Sequence, residues 1–251
     1  MKTGTKINHL LQKIPSVSVL LSSWLRLQGY SYELQQQYRK NGWLVSIGKG
    51  AMVRKGQDLL LAGAIFALQN QAKMSIHIGG RTALGLQGYA HFIEINNNET
   101  ILFAPRTTKL PSWFRNNNWD SKPVLISTSF LPPNIGLTSI FEEGVDVFIS
   151  DPARAIMECL VLAPNRFDLT EANEIMNGLV ALRPNNVQNM LEQCKSIKVK
   201  RLFLFFADKA QHSWFKHLDL SKIDLGTGKR SLIKNGVFIP KYNITVPSNL
   251  F

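Results

Sequence analysis

The side chains most able to do chemistry are cations, and they are concentrated in the first 56 residues. Nine of the 29 Lys and Arg residues lie there beside one acid, Glu33, so this quarter carries +8 of the chain's formal charge of +12. The other residues hold 20 basic and 16 acidic side chains. Such a local excess predicts a polyanionic partner, most simply nucleic acid. The nine cations are Lys2, Lys6, Lys13, Arg26, Arg39, Lys40, Lys49, Arg54 and Lys55.

Apolar residues at helical spacing predict three short helices that position these cations. The first helix ends before Pro15, and the second ends at Gly29. Ser31 can cap a third helix, in which Leu34 and Tyr38 form an inward pair four residues apart. Two helices joined by a short turn containing Gly have the spacing of a helix-turn-helix. The apolar positions of the first two helices are Ile7, Leu10, Leu11 and Ile14, then Val17, Leu20, Leu21, Trp24 and Leu25.

A two-stranded wing is predicted after the third helix. The segments Trp43–Ile47 and Ala51–Arg54 are β-prone, and Gly48-Lys49-Gly50 forms a tight turn between them. In a winged helix-turn-helix the third helix enters the major groove, while the wing lies along the phosphate backbone. The pattern therefore predicts a DNA-binding module.

Outward side chains of the third helix are expected to read bases, and those of the wing to hold phosphates. Gln can bond adenine N6 and N7 together, and Arg can bond guanine O6 and N7. Ser31 would hold a phosphate through the amides that it caps. An alternative is that Gln35, Gln36 and Gln37 only solvate a helix face. The candidate DNA-binding residues are Ser31, Tyr32, Gln35, Gln36, Arg39, Lys40, Lys49, Arg54 and Lys55.

Length and composition favour two domains. A chain of 251 residues with 45% hydrophobic residues can bury a sizeable core. We expect an α+β fold, with a winged helix-turn-helix domain at residues 1–56 and a larger mixed α/β domain at residues 57–251. The longest apolar run, Leu59–Leu68, is too short to span a bilayer. Arg26 interrupts the run Val17–Leu27, so neither a transmembrane helix nor a signal peptide is expected.

The second domain alternates strands and helices. Strands are predicted over Tyr89–Ile95 and Thr100–Ala104, joined by an asparagine-rich hairpin loop. Asp151-Pro152 is a helix start, and Arg154 with Glu158 would make an exposed pair one turn apart. Further strands are predicted over Val124–Ser129, Val145–Ile149, Gly236–Ile239 and Ile244–Pro247, and further helices over Thr82–Leu86, Leu169–Leu182, Asn185–Cys194 and Lys198–Ala210.

Motifs for catalysis, metals or nucleotides are weak throughout. Gly226-Thr227-Gly228-Lys229-Arg230 resembles a phosphate loop, but it lacks the first Gly and the final Ser or Thr of a Walker A motif. The acids Glu142, Glu143, Asp146 and Asp151 form no nuclease pattern, and the five His residues show no metal-ligand spacing. Cys159 and Cys194 are expected to be buried thiols in a reducing cytosol. We expect no enzyme, no metal and no cofactor.

Two further functions remain open for the second domain. Basic residues there could extend a nucleic-acid surface: Arg81, Lys198, Lys200, Arg201, Lys229 and Arg230. Alternatively, its aromatic residues could anchor a protein partner, as in an adaptor, although they more commonly fill a core. These aromatics are Trp113, Phe114, Trp119, Trp214 and Phe215.

Several short motifs, in this order, resemble the AbiEi-type antitoxins of bacterial type IV toxin–antitoxin systems, and the resemblance runs over nearly the full chain. Met52 departs from the aromatic residue expected in the wing's second strand. The matching motifs are Gly42-Trp43-Leu44 with Gly48-Lys49-Gly50, His77-Ile78-Gly79-Gly80-Arg81-Thr82-Ala83-Leu84 with Leu86, Gly88 and His91, Leu110-Pro111-Ser112-Trp113, Ser150-Asp151-Pro152 with Arg154-Ala155-Ile156 and Glu158, Lys198-Val199-Lys200-Arg201-Leu202-Phe203, and Gly226-Thr227-Gly228-Lys229-Arg230.

The resemblance implies a cytoplasmic, non-enzymatic antitoxin that is also a transcriptional repressor. Its N-terminal domain would bind inverted repeats of double-stranded DNA in its own promoter, and its larger domain would carry the antitoxin activity. The toxin would be an AbiEii-type nucleotidyltransferase encoded beside it, and direct contact with that toxin is not implied. Some relatives act in abortive infection, which gives phage resistance. A winged-helix regulator unrelated to a toxin, or an enzyme acting on nucleic acid, is the alternative.

Overall fold

The computed structural model of the protein describes residues 3–89, 98–234 and 236–250. The chain divides into two compact units. The first comprises Met1–His77, Asn98–Ser127 and Ser139–Phe148, and the second comprises Ile78–Asn97, Thr128–Thr138 and Ile149–Phe251. Within the described part of the chain, no helix has the length and apolar character that crossing a membrane would need.

Three helices open the first unit, as predicted. α1 spans Thr3–Lys13, α2 spans Ser22–Leu27 and α3 spans Tyr32–Lys40. Ser31 caps α3, because its hydroxyl accepts a hydrogen bond from the amide of Leu34. The turn between α2 and α3 contains Gly29 at φ +86°, a conformation that glycine adopts without strain. The helix-turn-helix is therefore present.

The second helix is shorter than predicted. Leu20–Leu21 forms a strand, β1, which pairs antiparallel with the wing so that Leu20 lies opposite Met52 and Leu21 opposite Ala51. The predicted start of this helix at Val17 was wrong, because the apolar pattern of Val17–Leu21 is compatible with a strand as well as with a helix. Pairing with a neighbouring strand decided between the two.

The wing is a hairpin of β2 (Leu44–Gly48) and β3 (Ala51–Arg54), and the strand order is β1-β3-β2. Leu44 and Met52 are buried in the core that the three helices share. This packing fixes one face of the wing against the helix-turn-helix. The predicted hairpin is confirmed, including its Gly48-Lys49-Gly50 turn.

The outer edge of β1 is covered by the Gln71 side chain, and the amide of Val19, just before β1, donates to the carbonyl of Gly63. The Gln71 carboxamide accepts a hydrogen bond from the amide of Leu21 at 2.8 Å and donates one to the carbonyl of Val19 at 2.7 Å. Gln71 ends a π-helical turn, Ala67–Gln71, that continues α4 (Leu61–Phe66). Its amide thus takes the place of a neighbouring strand.

A five-stranded sheet has the order β6-β5-β4-β8-β7. β5 and β6 run parallel with Glu99 opposite Lys122, and the short helix α6 (Ser112–Arg115) lies in the connection between them. Residues 90–97, which hold the predicted strand after Tyr89 and the first half of its loop, lie outside the described residues. The edge strand β7 was not predicted. The strands are β4 (His77–Ile78), β5 (Glu99–Ala104), β6 (Lys122–Ser127), β7 (Leu137–Glu142) and β8 (Val145–Ser150).

The second unit is mainly helical, and its helices follow the predicted order. Asp151 caps α7 with Pro152 at the first helical position, as predicted. A small sheet near the C-terminus has the order β10-β11-β9. The elements are α5 (Gly80–Leu86), α7 (Pro152–Leu162), α8 (Leu169–Gly178), α9 (Pro184–Gln193), α10 (Ile197–Lys209), β9 (Arg230–Ser231), β10 (Val237–Ile239), β11 (Ile244–Val246) and 3-10 turns at Ser213–His217, Leu220–Lys222, Pro240–Tyr242 and Ser248–Leu250.

Arg154 and Glu158 form a buried ion pair, not the exposed pair predicted. The Glu158 carboxylate is fully buried and accepts hydrogen bonds from Arg154 Nε, Ser150 Oγ and the amide of Gly80. Helical spacing identifies a pair one turn apart, but it does not show which face of the helix is covered. The pair is therefore structural and joins α7 to the start of α5.

Candidate nucleic-acid interface

The outward face of α3 is accessible over its whole length. Tyr32, Gln36, Arg39 and Lys40 are exposed, whereas Tyr38 is 1% exposed and packs inward. These four side chains recur at intervals of about one helical turn, so they lie along one side of α3. They are the candidate base-reading residues that the structure brings together.

Gln35 is a correction to the predicted set. Its side chain is 1% exposed. The carboxamide accepts a hydrogen bond from Ser22 Oγ at 2.5 Å and donates to the carbonyls of Ser22 and Tyr30, at 3.1 and 2.8 Å. Gln35 therefore joins α2 to α3 from the inside, and no base edge can reach it.

Two cations of the wing region are exposed, and a third is bonded to the protein backbone. Lys49 at its tip and Lys55 after β3 are exposed. The Arg54 guanidinium instead donates to the carbonyls of Leu11 and Ile14, at the end of α1, and burial lowers its pKa. Arg54 thus caps a helix C-terminus and is not free for a phosphate, contrary to prediction.

The acidic residue of the module lies at the start of α3. A hydrogen bond with Ser31 lowers the pKa of the Glu33 carboxyl. The Arg26 guanidinium lies 5.5 Å from the ring centroid of Tyr32, an arrangement suited to a cation–π contact. Ser31 itself is exposed, so the amides at the start of α3 face solvent near one negative and one positive side chain.

A groove of about 250 Å³ lies beside the turn between α2 and α3. Lys6, His9 and Lys13 of α1 line it together with the aromatic rings of Trp24 and Tyr30. The two lysines belong to the nine cations of the N-terminal quarter, but their spacing predicts no contact for them. Their position next to the turn extends the basic surface of the module from α3 towards α1.

Most of the basic residues proposed for the second unit are structural. Arg201 is 1% exposed and donates to the carbonyls of Leu225, Gly226, Gly228 and Asn243. Lys198 donates to two carbonyls at the end of α7, and Lys200 is buried. The expectation that these three continue a positive surface was wrong because each is turned inward.

The remaining three basic candidates differ in exposure. Arg81 makes a two-point ion pair with Glu171 and is partly buried. Lys229 and Arg230 are exposed, and the Lys229 ammonium lies 4.8 Å from the ring centroid of Phe238. Only the last two of the six candidates remain fully accessible in the described residues.

The Gly226–Arg230 loop has the opposite polarity to a phosphate loop. Its carbonyls point at the Arg201 guanidinium, whereas a phosphate loop points amides at an anion. A strand, β9, follows it instead of a helix. The loop is therefore a cradle for a buried arginine of α10.

The described residues contain no group of three or more His, Cys, Asp or Glu arranged to hold a metal ion. Both cysteines are buried and free, and burial raises the pKa of each thiol. Asp151 is occupied as a helix cap, and burial raises the pKa of Glu142. These groups offer no assembled catalytic site in the part of the chain that is described.

The proposed aromatic anchors mainly fill the interior. Trp113, Phe114 and Trp214 are buried, and Trp119 and Phe215 are partly buried. Their burial agrees with the alternative that they stabilise the core. Only Trp119 and Phe215 of these five leave part of their rings exposed.

Comparison with known proteins assigns an N-terminal part and a larger C-terminal part of the chain to one family. Residues 3–95 match the family described as transcriptional regulator, AbiEi antitoxin N-terminal domain, and residues 97–247 match transcriptional regulator, AbiEi antitoxin, type IV toxin–antitoxin system. No curated protein matches the chain. The crystal structure of the RV2827C protein from Mycobacterium tuberculosis is similar in fold, with a TM-score of 0.58 and 14% identity over 96% of this chain and 90% of that one. The chain belongs to the AbiEi family of transcriptional regulators, the antitoxins of type IV toxin–antitoxin systems.

Proposed function

We propose that the protein represses its own toxin–antitoxin operon by binding inverted repeats of double-stranded DNA in the promoter. The observation that carries this proposal is the exposed face of α3 next to a lysine-tipped wing. Gln36 is exposed. So are three cations, none of which is ion-paired within the described residues: Arg39, Lys40 and Lys49. Cations that are free of acidic partners can neutralise phosphates without first breaking a salt bridge.

The second part of the proposal is a division of labour along the chain. Residues 1–56 read DNA, and residues 57–251 counteract an AbiEii-type nucleotidyltransferase toxin encoded beside this gene. The protein acts in the cytoplasm, without catalysis, cofactor or metal, and a stable complex with the toxin is not required. Family membership supports this assignment, and protection against phage is the biological role that would follow from it.

Promoter binding is tested by fluorescence anisotropy with the upstream inverted repeat and with an unrelated duplex. We expect nanomolar affinity for the repeat, and about one unit less salt dependence when Lys49 is replaced by Ala, because one phosphate contact is lost. Lys216→Ala, at an exposed position in the second unit, is the control and should leave the salt slope unchanged. Equal affinity for both duplexes at physiological salt would overturn specific repression.

Base reading is tested on single-base operator variants. Gln36→Ala or Arg39→Ala should cost about 1 to 3 kcal/mol against the preferred base and relax selection at one position. Gln37 is also exposed on α3, but we assign it no contact with a base. Gln37→Ala is therefore the matched control on the same helix. If affinity and preference are both unchanged in the first two variants, α3 does not read bases.

Antitoxin action is tested in cells with the full-length chain. The double variant Arg39→Ala/Lys49→Ala should lose promoter binding and still rescue growth when the neighbouring toxin is induced. Loss of rescue by this variant at normal protein levels would contradict the division of labour. Stable co-purification with the toxin would instead favour a protein-binding adaptor, and the lack of a nucleotidyltransferase gene nearby would favour a regulator outside any toxin system.

A further inference from the structure

The wing does not stand free, because its tip contacts a segment that is distant in sequence. The Asn117 amide nitrogen donates to the carbonyl of Ile47 at 2.7 Å and to the carbonyl of Trp113 at 2.6 Å. Ile47 is the second residue before Lys49 in the chain. One side chain thus connects β2 to the end of α6.

Gly48 makes this approach possible. It has φ +148°, and a Cβ atom placed on it would lie 2.9 Å from Trp113 Cβ and 3.1 Å from Trp113 Cα. Side-chain carbons do not approach backbone this closely, so a larger residue would push β2 away from α6. The end of β2 therefore meets this segment at two consecutive residues, Ile47 and Gly48, immediately before the lysine at the tip.

The segment on which the wing rests is itself firmly held. The rings of Trp113, Phe114 and Trp119 pack together with centroids 5.6 to 6.3 Å apart, and Trp119 Nε1 donates to the carbonyl of Phe114. The Asp120 carboxylate accepts from the amide of Leu61 at the start of α4. We name residues 112–120 the wing support.

We propose that the wing support is a positioning element for DNA reading, with Asn117 as its positioning residue. β2 is an edge strand of the three-stranded sheet, so it has a strand partner on one side only, and the bond from Asn117 adds a second restraint just before Lys49. Holding it before DNA arrives removes part of the ordering cost of binding. The inference rests on the proposed DNA binding and adds that residues 57–251 contribute to operator affinity without touching DNA.

The sequence offers a matched set of variants, since three asparagines are consecutive. Asn117→Ala removes the contact to the wing, whereas the side chains of Asn116 and Asn118 are exposed and make no hydrogen bond to it in the described residues. We expect Asn117→Ala to weaken operator binding about three- to tenfold, the value of one lost hydrogen bond, and Asn116→Ala and Asn118→Ala to leave it unchanged. Gly48→Ala is an independent variant, because its added methyl group would collide with Trp113 and displace the wing.

A double-mutant cycle with Lys49→Ala separates positioning from general damage. If Asn117 acts by holding Lys49, the two substitutions are not additive, and the salt slope of Asn117→Ala falls towards that of Lys49→Ala. Thermal unfolding by circular dichroism checks that each variant is folded, and Gly48→Ala replaces Asn117→Ala in the cycle if the latter is not. Additive effects, or unchanged operator affinity in both Asn117→Ala and Gly48→Ala, would overturn the proposal.

A second measurement works without DNA. Trypsin cleaves after lysine, and a loosened wing should be cut at Lys49 faster in Asn117→Ala than in the wild type, with Asn118→Ala as control. Equal cleavage rates in Asn117→Ala and the wild type would overturn the inference, even if the operator is bound. Faster cleavage in a protein that shows no operator preference would confirm that residues 112–120 hold the wing and would reject the proposed function.

Discussion

Replacing Gln35 with alanine is expected to destabilise the helix-turn-helix and leave its choice of bases intact, whereas replacing the neighbouring Gln36 should do the reverse. The two residues are adjacent on α3 and chemically identical. Gln35 is turned into the interior, where it bonds Ser22 and Tyr30, and Gln36 faces solvent. The pair therefore separates a structural role from a reading role within one helix.

The size of the effect follows from the hydrogen bonds that are lost. Gln35→Ala removes three, and it leaves the Ser22 hydroxyl and the carbonyls of Ser22 and Tyr30 without their partner. At about 1 kcal/mol for each bond, the loss is about 2 to 3 kcal/mol after allowing for rehydration of the half-buried Ser22. Gln36→Ala and Gln37→Ala, at exposed positions, should stay within about 0.5 kcal/mol of wild type.

Native-state amide exchange is the appropriate assay, because it reports the opening of α3 separately from unfolding of the second unit. Protection of the α3 amides should fall by about 30- to 150-fold in Gln35→Ala, which is the same free energy expressed as an equilibrium constant. Single-base operator variants, titrated below the unfolding midpoint, then measure base preference. A Gln35→Ala protein with wild-type protection and altered base preference would refute the reasoning, since Gln35 would then contact DNA.

The other predictions concern the second unit. Glu158→Ala should lower the free energy of unfolding by about 3 to 5 kcal/mol in urea denaturation, because it leaves the Arg154 charge buried without its partner, and the exposed Glu174→Ala should not; equal effects would show that the pair contributes nothing. Arg201→Lys should destabilise by more than about 1 kcal/mol, since one ammonium cannot reach the four carbonyls that the guanidinium serves, and unchanged stability would contradict that role. Cys159 and Cys194 should react slowly with iodoacetamide at pH 8, because burial raises the pKa of both thiols and so lowers the thiolate fraction; rapid labelling of the native protein would show that the second unit opens readily.

Local patterns predicted local structure well. The capping residues Ser31 and Asp151 and the wing turn at Lys49 depend on neighbours within a few positions, and each is present as expected. The α+β fold and the exposed face of α3 followed from the same signals. These features are encoded by residues that contact each other along one element.

Contacts between distant segments were not predictable from spacing. Nothing near Asn117 indicates that it meets Ile47, 70 residues earlier, and nothing near Arg201 indicates that the Gly226–Arg230 loop encloses it. Cations were therefore assigned to solvent although Arg54 and Arg201 satisfy carbonyls at the ends of other elements. The N–H groups of a basic residue can donate to carbonyls as well as to phosphates, so charge alone does not separate the two roles.

The carboxamide of Gln71 has a consequence for the handling of this protein. An uncovered strand edge offers a template on which another molecule can add its own backbone. Gln71 bonds the amide of Leu21 and the carbonyl of Val19, and the Val19 amide donates to the carbonyl of Gly63, so this edge of the three-stranded sheet is closed. Shortening Gln71 would leave the Leu21 amide and the Val19 carbonyl without this partner, and we expect aggregation, measured as turbidity on concentration, to precede any loss of helical content.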